Sequence, residues 1–116
     1  MKKKKNTNKA KESIREIAAL LGAMNETLFL LAPMVYHAKE TTDDFNAQPT
    51  TSNRVVMKMA RGNVVKGAER IGNRLYNFYD KLLSKESKKI FSFEDFCEEV
   101  QTRLVAILIN NTNEVN

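Results

Sequence analysis

The chain has 116 residues, the length of one domain with one modest core. Hydrophobic residues make up 42 % and charged residues 28 %, as in ordinary soluble globular proteins, and a single Cys excludes an internal disulfide. One His and one Cys also exclude a four-ligand Cys/His zinc site, while a net charge of +5 leaves an anionic partner open.

The chain begins with Lys2, Lys3, Lys4 and Lys5, followed by polar residues rather than an apolar signal core, so no cleavable leader is expected. Residues 1–11 read as a basic disordered tail, residues 12–110 as a single helical-bundle domain, and residues 111–116 as a frayed end. From Ile14 the apolar residues Ile17, Leu21, Met24, Leu28, Leu31, Val35 and Ala38 follow at spacings of three and four, one stripe of a helix. Pro33 interrupts that stripe, and because its ring removes a backbone donor the helix is expected to kink or restart there. Around it Phe29, Leu30, Ala32 and Met34 spread beyond one stripe, which predicts a segment buried on most sides. The most apolar stretch, Thr27 to Tyr36, falls well short of the roughly 20 residues that span a bilayer, so a cytoplasmic protein with no membrane partner is expected.

Residues 41–53 are rich in Thr, Asp, Asn and Ser, whose side chains compete with the backbone ladder, and this predicts a loop with Thr51 or Ser52 as the next N-cap. A second long helix is predicted from Asn53 to Ser84, with Met57, Ala60, Val64, Ala68, Ile71, Leu75, Phe78 and Leu82 on its core face. Gly62, Gly67 and Gly72 lie inside it and point in three directions; one of them allows a close helix approach, or the helix breaks near Gly62. Residues 84–91 read as a polar link. Ser92 followed by Glu94 and Asp95 then marks a third helix, with Phe93, Phe96, Val100, Leu104 and Ile107 on one face. From Leu104 to Ile109 that helix is apolar all round. The predicted fold class is all-α: a small antiparallel helical bundle of three long helices, the first kinked at Pro33 so that four can be counted.

The modest net charge hides a strong segregation. Residues 1–11 carry +6, residues 12–53 carry −4, residues 54–89 carry +7 and residues 90–116 carry −4. On a helical wheel Lys66, Arg70, Arg74, Lys81, Lys85 and Lys88 form one flank stripe, with Arg54, Lys58 and Arg61 on the other flank. A row of cations with Asn63, Asn73 and Asn77 among or beside it suits contact with a phosphate backbone, and Tyr76 and Tyr79 are near enough to stack on bases. Oppositely charged antiparallel helices pairing across their rims account for the same alternation.

Catalytic chemistry has few parts to work with. His37 stands alone, and Cys97 beside Phe96 reads as a small buried hydrophobe. Glu94, Asp95, Glu98 and Glu99 suit a helix start, and residues 62–72 match neither a phosphate-binding loop nor a dinucleotide fingerprint. The expectation is a non-catalytic, cofactor-free accessory protein that binds nucleic acid, DNA or RNA, through Lys66, Arg70, Arg74, Lys81, Lys85 and Lys88. The alternative is a helical assembly module whose basic stripe is paired internally or against an acidic protein partner. The two apolar surfaces, around Phe29–Met34 and Leu104–Ile109, predict a homo-oligomer.

Overall fold

Pro33 sits where its missing N–H costs nothing, in the first turn of a new helix. The computed structural model describes residues 2–112, with side chains from residue 9 onward. Helix α1 runs Lys2–Phe29 and α2 runs Ala32–Ala47, and together they form one bent rod. The bend falls at residues 30–31, where Leu30 N–H donates to the Thr27 carbonyl and Leu31 N–H to the Leu28 carbonyl, the i−3 bonds of a tight turn. The restart expected at Pro33 is therefore present, three residues after the bend begins. Of the expected tails, residue 1 and residues 113–116 lie outside the described residues, whereas residues 2–11 continue α1 and residues 111–112 end the last helix.

The predicted loop at residues 41–53 shrinks to 48–50. Thr41 and Thr42 each donate their hydroxyl to the Ala38 carbonyl, at 2.9 and 2.8 Å, so their bonding capacity is used inside the helix rather than against it. Helix α3 spans Thr51–Leu82 without a break, and its N-cap is Thr50, one residue before the predicted candidates, accepting from Asn53 N–H at 3.1 Å. Among its glycines, Gly67 makes the close approach: a Cβ there would lie 2.8 Å from Met34 Sδ and 3.3 Å from a Leu31 methyl, whereas Gly62 and Gly72 face open space. Residues 84–91 are not a plain link. They form the short helix α4, Lys85–Ile90, capped by Ser84, whose side chain accepts from Ser87 N–H. Glu16 of α1 fixes this cap: its Oε1 accepts from Ser84 N–H and from the Ser87 hydroxyl, both at 2.7 Å. Two donors on one carboxylate favour its charged form and hold the Glu16 pKa below the usual value. Helix α5 runs Phe93–Thr112 from a reciprocal cap, with Asp95 N–H donating to Ser92 Oγ and Ser92 N–H donating to Asp95 Oδ2, both at 3.1 Å.

Among the described residues the protein is all-α, 91 % helical with no strand. Helix α3 runs antiparallel to the rod, its start beside α2, where Arg61 reaches Thr42, and its end beside α1, where Ser84 meets Glu16. Helix α5 lies along a second side of the rod, parallel to it, with Arg103 hydrogen-bonded to Asn25. The core is a strip of Leu20, Met24, Leu28, Leu31 and Val35 from the rod against Ile71, Leu75, Tyr79 and Leu83, closed at one end by Phe96. Met24, Leu28, Leu31 and Val35 of the predicted stripe are buried, and the buried face departs from it only at the start, with Ser13 buried and Ile14 67 % exposed, where α4 packs on α1.

The extents are 72 × 30 × 18 Å and the radius of gyration is 19.2 Å, against about 13 Å for a compact globule of this length. So slender a body leaves one side of the rod uncovered, and the segment expected to be buried on most sides is not: Phe29 is 69 % exposed, with Leu30 and Met34 also open. By length and composition alone the α1–α2 rod holds a window apolar enough to cross a membrane, with 33 % of that window buried inside the fold.

Candidate nucleic-acid interface

Helix α3 positions the cations. Lys66, Arg70, Arg74 and Lys81 recur at four, four and seven residues, so they share one flank over roughly 22 Å of helix axis. All four are exposed, as is Lys85 in the first turn of α4. None of the five makes an ion pair or a side-chain hydrogen bond with another described residue. Pairing of α3 with acidic rims, which the segment charges suggested, is absent among the described residues. The ion pairs there are local ones, Lys39–Asp43, Glu86–Lys89 and Glu99–Arg103, together with Lys88–Asp80.

Lys88 therefore differs from the rest of the stripe. Its Nζ lies 3.2 Å from Asp80 Oδ1 and 3.3 Å from the Asp80 carbonyl, and 5.7 Å from the centre of the Tyr79 ring. It fastens α4 to α3 and contributes its charge there.

The stacking role expected of the tyrosines does not survive. Tyr79 is 6 % exposed, its hydroxyl donates to the Phe91 carbonyl at 3.2 Å, and its ring packs against Phe93 and Phe96. Burial of the phenol pushes its pKa up, with Lys88 acting against the shift. Tyr76 is 52 % exposed but meets Phe93 edge-on, on the opposite flank of α3 from the cations. The exposed amides Asn63, Asn73 and Asn77 stay beside the cations, so the surface offers charges and amides without an aromatic platform.

The remaining chemistry-bearing residues do not converge. His37 is exposed on α2, and Cys97 is exposed rather than buried, because α5 turns it toward α3 along an open groove. Of the acidic residues at the start of α5, Asp95 is spent on the cap and Glu99 on Arg103. Among the described residues no group of three or more His, Cys, Asp or Glu is placed to hold a metal ion.

One apolar surface feature was not read from the sequence. Helices α3 and α5 each pack on the rod and meet each other through Tyr76, Tyr79, Phe93 and Phe96, and along the rest of their length three adjoining cavities of about 460, 420 and 350 Å³ lie between them. The first two share Val35, Val64 and Leu108, and the second and third share Leu104, so they form one apolar groove. The signal for it in the sequence was the all-round apolar end of α5, which did not say which neighbour would be left uncovered. Compared with known proteins, the chain matches no family model, no curated protein and no solved structure.

Proposed function

We propose that the protein is a non-catalytic, cytoplasmic nucleic-acid-binding accessory protein that holds the phosphate backbone on one flank of α3. The observation that carries this reading is the row Lys66, Arg70, Arg74, Lys81 and Lys85, exposed and without acidic partners among the described residues. A cation that has already formed an ion pair gains little from a phosphate, whereas an unpaired one releases the phosphate's counterions on contact. Backbone contact positions a protein without reading bases, and the lack of an exposed aromatic beside the row fits a sequence-tolerant mode. Asn73 and Asn77 add neutral donors for phosphate oxygens. Lys88, committed to Asp80, is left out of the contact set.

The test is binding to duplex and single-stranded probes over a salt series. Five phosphate contacts correspond to a log–log slope of about −4.5 on a duplex and about −3.5 on a single strand. Absence of measurable binding at about 50 mM salt, where such contacts are strongest, removes this reading and leaves the assembly module.

A further inference from the structure

The groove between α3 and α5 is an apolar feature that the phosphate-binding reading does not use. Its floor is Leu31 and Val35 of the rod, and its walls are Val65 and Gly72 on one side and Leu104 and Leu108 on the other. It follows α5, a helix of 20 residues and about 30 Å, from the Tyr76–Phe93 contact at one end to Arg61 and Thr112 at the other. The last turns of α5 also expose apolar side chains: Val105 is 45 % exposed and Ile109 is 48 % exposed. One copy of the chain thus carries both an apolar groove and a helix with an unpartnered apolar face.

Charge sets the direction in which these two fit. Within one chain α5 begins beside Tyr76 and ends beside Arg61, so the exposed Glu94 and Glu98 of its first turns belong to one end of the groove, while Arg61 lines the other. They are separated by most of the groove's length and have no opportunity to pair. A second α5 laid antiparallel to the first reverses this and brings its acidic start beside Arg61. We propose that the groove between α3 and α5 takes the α5 helix of a second copy in antiparallel orientation, giving a dimer with two equivalent contacts. The exchange is reciprocal, so the interface closes and leaves no free groove. Neither Arg61 nor any residue of α5 belongs to the cation row, so failure of this proposal leaves the phosphate-binding reading standing, and the converse holds.

Light scattering of the full chain at tens of micromolar tests it. The expected mass is twice 13.2 kDa. Val105→Asp and Ile109→Asp place a charge on exposed positions of α5, and each is expected to yield a monomer with unchanged helicity by circular dichroism. Arg61→Glu and Glu98→Arg are each expected to weaken association at least tenfold, and the double variant to return to within a few-fold of wild type. That recovery depends on pairing between copies and stays informative where an aspartate variant loses helix. A monomeric wild type, a dimer that survives both aspartate variants with helicity intact, or a double variant no better than the single ones overturns the proposal.

Discussion

One flank of α3 carries Lys66, Arg70, Arg74 and Lys81 and faces solvent; the other carries Val65, Ala68, Gly72 and Tyr76 and looks across a groove at α5. Both flanks belong to one helix with one buried face, yet their side chains meet different fates. Where α5 stands beside the rod, charged groups find partners: Arg103 holds Glu99 and Asn25, and Arg61 reaches Thr42. On the flank that α5 does not approach, the cations have nothing to pair with among the described residues. The segment charges alone suggested helices pairing through opposite rims. Among the described residues the cations of α3 find no acidic partner on either flank, so the sum of charges by segment did not tell which of them would pair.

The largest expected effect removes the seam on which both flanks depend. Leu75 is 1 % exposed between α3 and the rod, and Leu75→Ala is expected to cost about 2–5 kcal/mol, measured by denaturant unfolding. Both surface properties should then fail together, because each rests on α3 being held against the rod. A smaller effect separates the helix's outer positions from its contact face. Gly62→Ala and Gly72→Ala meet no neighbour and should each stabilise the protein by up to about 1 kcal/mol. Gly67→Ala should gain less or lose, since the new methyl displaces Met34. An equal gain at all three positions would show that α3 does not approach the bend closely.

The smallest effect concerns the end of the molecule where α4 joins α1. Folding lowers the Glu16 pKa, so the stability it supplies is present above the ordinary carboxylate value of 4.5 and is lost as pH falls through the lowered one. The difference in Tm between wild type and Glu16→Gln should therefore be largest near neutral pH and shrink on acidification below about pH 4.5. Tyr79 behaves in the opposite sense: its raised pKa means that stability is lost as pH climbs above the ordinary phenol value of 10.0.

Much of the fold was legible where a residue acts locally. Pro33 announced a restart, Ser92 and Asp95 announced a cap, and the spacing from Met57 to Leu75 announced the buried face of α3. The misreadings share one physical cause, in that each residue's role depends on a partner distant in sequence or on an internal bond that its composition conceals. Thr41 and Thr42 look like loop residues until their hydroxyls are seen bonded to Ala38. Tyr79 looks available until Phe93 and Phe96 close over it, and Cys97 looks buried until α5 turns it to the groove. Within the cation row, periodicity placed Lys66, Arg70, Arg74 and Lys81 on one flank, while the capture of Lys88 by Asp80 required the turn into α4.

The central claim is that the exposed flank of α3 binds phosphates, and the salt dependence of Arg70→Ala/Arg74→Ala tests it most directly. Both side chains point away from the core, so helicity and Tm should stay close to wild type. The account predicts that the log–log salt slope on duplex DNA becomes shallower by about 1.8, two counterion equivalents, with affinity reduced across all sequences alike. A slope and affinity unchanged from wild type in a folded double variant would contradict it.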